Sequence, residues 1–192
     1  MKKIYYILIL LLLSSCFGGR TQPSNFYVLT PVSQSDIVFD GKNKMVGIDI
    51  IYIAGYLDRQ EIITMKNNEG ELNMSDFNRW AEPLTNSLER NIVLNMSSYM
   101  NNSIIKSVNS FNKNFDYIVL IYLNRLDGKF NDNVYLEASY SIIDKMGNIL
   151  TVDNIALKTS LANTYEDLVI KESELVSKLS FKIAETLSKL KK

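Results

Sequence analysis

The sequence predicts an α+β domain: a mostly antiparallel sheet with two long amphipathic helices packed on one of its faces. Three observations carry this. Apolar residues recur at steps of three or four through Phe77, Trp80, Leu84, Leu88, Ile92, Met96 and Tyr99, and again from Tyr165 to Leu190, the period of a helix with one buried face. Val134, Leu136, Ala138, Tyr140 and Ile142 alternate with mostly polar residues, the period of a strand with one face packed and one solvated. Short β-branched runs bounded by Gly, Asn and Asp precede each helix. The order of strands then helix occurs twice, which hints at two related halves, although no repeat of residue identity is visible.

Taken in order, residues 25–29 read as a first strand, stopped by Thr30-Pro31. Residues 32–47 are mostly polar, contain Gly41 and Gly47, and read as a loop. Residues 48–54 are rich in β-branched side chains and read as a buried strand. Residues 61–65 are a further strand, with residues 71–74 as its hairpin partner across the turn at residues 67–70. Ser75 is a suitable N-cap for a helix from Asp76 to Met100. Pro83 sits inside that stretch, so either it opens the main helix after a separate first turn, or it kinks a continuous one. Residues 104–108, 115–126, 134–143 and a segment from about 149 to 161 complete the strands. The last helix, Tyr165 to Leu190, keeps its stripe apolar except at Glu172.

The N-terminus has a separate logic. Lys2 and Lys3 precede the apolar run Ile4 to Leu13, and Ser14-Ser15-Cys16 follow. That is the order of a secretory signal, and the run is about half of the roughly 20 residues needed to span a bilayer. Cys16, the only cysteine of the chain, follows the small residues as in the lipobox of bacterial lipoproteins. There the thiol takes a diacylglyceryl group, cleavage occurs before the cysteine and the new amine is acylated. The domain layout read from this is 1–15 signal peptide, 16–24 lipidated Cys16 and flexible tether, and 25–192 folded domain. Several acyl chains on one residue make attachment effectively permanent. Phe17, where an Asp commonly retains Gram-negative lipoproteins in the inner membrane, points to the periplasmic face of the outer membrane.

Composition excludes several classes of function. The chain has 21 acidic and 21 basic residues, and the signal carries two of the basic ones, so the mature chain is slightly acidic. It has no basic run beyond its short C-terminal tail, which argues against nucleic acid as a partner. It has no histidine, which removes Ser-His and Cys-His pairs, His-containing zinc sites and the usual base near neutral pH. No catalytic residue, metal site or cofactor is expected, and the single cysteine allows no internal disulfide.

Three segments carry a resemblance. Asn25-Phe26-Tyr27-Val28-Leu29-Thr30-Pro31, the run Ile53 to Thr64 with Tyr56-Leu57-Asp58-Arg59 at its centre, and Asn78-Arg79-Trp80-Ala81-Glu82-Pro83-Leu84 resemble the ABC-type transport auxiliary lipoproteins, also described as PqiC-like or YmbA-like. The likeness runs from about Asn25 to Leu187. Gln60 stands where the family usually has proline, and Ala54-Gly55 where a proline often precedes the aromatic residue. The resemblance implies a non-enzymatic component of an envelope lipid transport system that docks to a membrane-anchored MCE-domain partner, beside an ABC transporter. The competing expectation is a structural lipoprotein that tethers another complex to the membrane. Asp58 and Arg59 are candidate partner contacts, or else a local ion pair or turn cap. Trp80 is a core anchor, or lines a lipid-binding surface. A homo-oligomer is left open.

Overall fold

The computed structural model describes residues 22–32, 36–67, 70–110 and 114–190. Cys16 and the signal segment lie outside the described residues. Within them the chain runs β1 (Asn25–Tyr27), β2 (Phe39–Ile53), β3 (Glu61–Met65), β4 (Leu72–Trp80), α1 (Leu84–Tyr99), β5 (Met100–Ser107), β6 (Tyr117–Gly128), β7 (Asp132–Asp144), β8 (Ile149–Ala162) and α2 (Tyr165–Lys189). A five-stranded sheet has the order β5-β2-β6-β7-β8, and a three-stranded one the order β1-β4-β3. The expected α+β class holds, with both long helices against one face of the larger sheet and against each other.

The core lies where the helix stripes meet that face. Leu88, Ile92 and Met96 of α1 and Leu175, Val176, Leu179 and Ile183 of α2 are fully buried. They pack with Ile48 of β2, Val119, Ile121 and Leu123 of β6, and Leu136 and Ile142 of β7. The alternation from Val134 to Ile142 is the one expected, with these residues inward and Glu137 exposed on the other side. α2 begins as its sequence dictates: the Thr164 hydroxyl accepts the Asp167 N–H (3.1 Å), and the Asp167 carboxylate in turn accepts the Asn163 N–H (3.2 Å).

Three expectations change. The segment before Pro83 is strand, not helix: residues 72–80 form β4, and α1 starts at Leu84 with Pro83 as its N-cap. Proline removes the N–H that an unbroken helix would need and restricts the residue before it, so the two elements meet there. Ser75 caps no helix; its hydroxyl accepts the Asn78 N–H (2.9 Å) within β4. Secondly, residues 39–47 are the first half of β2, not loop. Their polar look reflects an irregularity in the pairing between Asp40 and Lys44, where Lys42 and Asn43 both take left-handed conformations (φ 54° and 57°) and the Asp40 carboxylate accepts the Lys42 N–H (2.9 Å). Gly41 is required there, because a Cβ would sit 2.3 Å from that of Ser103 on β5. The irregularity also aims the Lys42 ammonium at the end of α2, where it donates to the Ser188 and Leu190 carbonyls (2.8 and 2.9 Å).

Thirdly, the larger sheet is mixed. The meander β6-β7-β8 is antiparallel, as expected, but β2 lies parallel to both β5 and β6. This puts the second strand of the chain at the centre of the sheet's parallel part.

Trp80 closes β4 with its ring buried in the core. Trp80→Ala is expected to cost about 3–5 kcal/mol and Leu179→Ala about 2–5 kcal/mol in denaturant unfolding. An unchanged midpoint for Trp80→Ala, with transport lost, would move that ring from the core to a contact surface.

Candidate functional site

The loop after β2 carries the motif residues Tyr56 to Gln60 and is built as a series of tight links. The Ala54 N–H reaches the Leu123 carbonyl on β6 (2.9 Å), the Leu57 N–H reaches the Ala54 carbonyl (2.8 Å), and the Arg59 N–H reaches the Leu57 carbonyl (2.9 Å). Leu57 is buried, whereas Asp58, Arg59 and Gln60 are exposed. The Trp80 N–H donates to the Gln60 carbonyl (2.7 Å), which ties the end of the loop to the end of β4. That bond uses a backbone oxygen that proline would also supply, so the departure at Gln60 keeps the link.

Tyr56 pins the loop to the sheet. Its hydroxyl donates to the buried Asp127 carboxylate on β6 (2.8 Å), and the Arg125 Nε–H donates to the other oxygen of Asp127 (2.9 Å). Arg125 also reaches Glu137 on β7 (3.3 Å) and stacks over the Tyr135 ring (4.3 Å to the centroid). Asp127 is 1% exposed; a charge so buried is tolerated because it is paired and hydrogen-bonded. Burial, and then the Asp127 charge, raise the Tyr56 phenol above its ordinary range. Beside this network a cleft of about 230 Å³ opens between β3 and the β6–β7 hairpin, lined by Met65, Arg125, Lys129, Asp132 and Tyr135.

Glu172 is the buried acid that interrupts the stripe of α2. It is 1% exposed, and its Oε2 has no hydrogen-bond partner. Burial, followed by the charge of Asp127, pushes its carboxyl well above the usual range. Nothing in this arrangement pairs a nucleophile with a base. Among the described residues no group of three or more His, Cys, Asp and Glu is placed to hold a metal ion, and no helix is long and apolar enough to cross a membrane.

Of the residues singled out in the sequence, Asp58 and Arg59 lie together on the exposed loop but do not form an ion pair; the Arg59 guanidinium leans on the Met74 sulfur instead. Glu82, just before the Pro83 cap, holds Arg90 through both carboxylate oxygens, one of them at 2.8 Å. Arg125, Asp127 and Glu137 escaped the sequence reading. Asp127 is 71 residues from Tyr56, and its only local signal was a charge near the end of a strand that is apolar through Leu123.

The family model described as ABC-type transport auxiliary lipoprotein component matches residues 27–184. The chain belongs to that family. Two solved structures share its fold. A protein from Xanthomonas campestris of the DUF330 family superposes with a TM-score of 0.70 at 14% identity, over 85% of this chain and 95% of that one. An uncharacterized protein gives 0.72 at 14% identity, over 86% and 99%. A PelC dodecamer from Paraburkholderia phytofirmans reaches 0.46 at 11% identity, over 82% and 93%. No curated protein matches. As a family member the chain is an auxiliary component of ABC-type transport and a lipoprotein by type, which places it with the cell envelope and speaks for a non-enzymatic role.

Glu172 gives a pH dependence of defined sign. Its folded-state pKa is raised, so its contribution is fully present below the ordinary carboxyl value of 4.5 and is lost as pH rises toward the folded value. The lowered carboxyls of Glu82, Asp116, Asp144 and Glu185 act on the acid side of that range. Glu172→Gln is expected to raise Tm at about pH 8 and to change it far less at about pH 5. An equal change at both would mean that the proton on Glu172 does not matter.

Proposed function

We propose that this protein is a lipid-anchored docking subunit of an envelope lipid transport system, held by Cys16 at the periplasmic face of the outer membrane and engaging an MCE-domain partner through the Asp58-Arg59 loop. The observation that carries the reading is the build of that loop. It presents two exposed charges of opposite sign, neither paired with the other, on a backbone fastened to the core through Tyr56, Asp127 and the Gln60–Trp80 link. A loop whose backbone is already ordered loses little backbone freedom on binding, and opposite charges orient a partner more than they attract it. The absent histidine, and the lack of a nucleophile–base pair among the described residues, fit docking and not turnover.

The anchor and the loop are tested separately. Cys16→Ala is expected to leave an uncleaved precursor or to release the protein from membranes on fractionation; normal processing with full retention would remove the anchor from the proposal. Asp58→Lys and Arg59→Glu, at exposed positions, should leave the melting temperature within a few degrees and sharply reduce cross-linking to an MCE protein in intact cells. If the lipidated wild-type protein captures no MCE or ABC component there, the tethering role for another envelope complex replaces this one.

A further inference from the structure

Residues 28–32 leave β1 and run as an extended strap over the seam between α1 and α2, and the helices hold it by its backbone. The Leu29 N–H donates to Ser87 Oγ (3.2 Å), and the Leu29 carbonyl accepts from Asn91 Nδ2 (2.8 Å). The Thr30 N–H donates to Ser173 Oγ (3.1 Å), and the Val32 N–H to Asn95 Oδ1 (3.0 Å). The Val32 carbonyl accepts from Tyr99 (3.3 Å) and from Ser177, which are themselves hydrogen-bonded to each other (2.7 Å). Ser87, Asn91 and Asn95 stand at steps of four along α1, and Ser173 and Ser177 at a step of four along α2. They form a comb of polar side chains, all buried, within two mostly apolar stripes.

This comb reads main chain and almost nothing else. Leu29 is buried at 2% exposure, while Val28, Thr30 and Pro31 point outward. The strap also leaves part of the comb unused. Asn91 Oδ1 and Asn95 Nδ2 are buried with no hydrogen-bond partner, an arrangement native proteins rarely keep. Meanwhile Pro31 removes one N–H from the middle of the strap. The site therefore has more hydrogen-bonding capacity than its occupant fills.

We propose that the seam between α1 and α2 is a backbone-reading binding site for an extended peptide with one leucine-sized side chain, occupied in cis by residues 28–32 and able to take a competing peptide of the same chemistry. Recognition by main-chain hydrogen bonds with one side-chain pocket is how strand-like peptides are bound elsewhere. The covalent link gives the strap an effective concentration in the millimolar range, so the linked form resists competitors. The inference does not depend on which transport partner the Asp58-Arg59 loop meets.

The test removes that advantage. The full chain is cut once, at a protease site placed at residues 33–35, and challenged with a fluorescent octapeptide of the sequence Asn25 to Val32. The cut protein is expected to keep its circular dichroism, to retain its own N-terminal segment without a covalent link, and to exchange it for the labelled peptide in a saturable way. A peptide with Leu29→Asp should fail to enter, and one with Pro31→Ala should bind about fivefold tighter, the effect of roughly one added hydrogen bond. Unfolding on cleavage would show the strap to be core and not ligand. A retained segment that never exchanges, or equal binding of the Leu29→Asp peptide, would also overturn the proposal. A Pro31→Ala peptide that binds no tighter would overturn the spare capacity of the comb.

Discussion

The apolar stripe of α2 is the surface on which the remaining layers converge. It meets α1 on one side and β2, β6, β7 and β8 beneath. Leu175, Val176, Leu179 and Ile183 lose all contact with water there. Burial of that kind is worth about 1.5–3 kcal/mol per large side chain, so four such residues outweigh any surface ion pair in the molecule. Features that look local are arranged around this helix. Thr164 and Asp167 fix its start, Lys42 caps its end from the irregular stretch of β2, and Ser173 and Ser177 on its upper side receive the strap.

The same helix accounts for the odd chemistry of the motif region. Glu172 could have been leucine by the period of the stripe, yet it is an acid placed near Asp127, under the hairpin that Tyr56 braces. Burial holds the Glu172 carboxyl well above its usual range, while the Asp127 carboxylate accepts hydrogen bonds from Arg125 and Tyr56. Loop and hairpin are thus joined by the hydrogen bonds among Tyr56, Asp127, Arg125 and Glu137, and the exposed Asp58 and Arg59 stand on that base.

Much of the fold was legible because it follows from period. The α2 stripe, the alternation in β7 and the strands of the meander all appear in the order of apolar residues. The failures have physical reasons. Phe77, Trp80 and Leu84 are spaced like a helix, but the first two belong to a strand; spacing over seven residues cannot separate the two, and Pro83 was the better signal. The start of β2 was hidden by Gly41, Lys42 and Asn43, residues chosen for an irregular backbone and not for a pleated face. Parallel pairing of β2 with β5 and β6 joins segments far apart in the chain, which no local pattern reports. At the site, the Tyr56 to Arg59 motif was legible as a motif, whereas its partners Asp127 and Arg125 were not. The comb was in view as Ser87, Asn91 and Asn95 at steps of four, but polar residues in a helix stripe are hard to rank before the strand that lies on them is known.

The central position of β2 has a consequence in time. Its hydrogen-bonding neighbours are β5, which begins at Met100, and β6, which ends at Gly128. Until the second half of the chain exists, β2 has no partner on either edge, and its apolar face has no helix α2 to cover it. Parallel pairings of this sequence separation form late and slowly, since the closure of long loops precedes any gain from contact. Apart from the local β3–β4 hairpin, a nascent chain of this topology therefore stays without its native pairing while most of it is being made. That is a liability for a protein folding where it is synthesised, because bare strand edges aggregate. For a chain that must thread a narrow channel before it folds, the same delay keeps the polypeptide in a form that can pass.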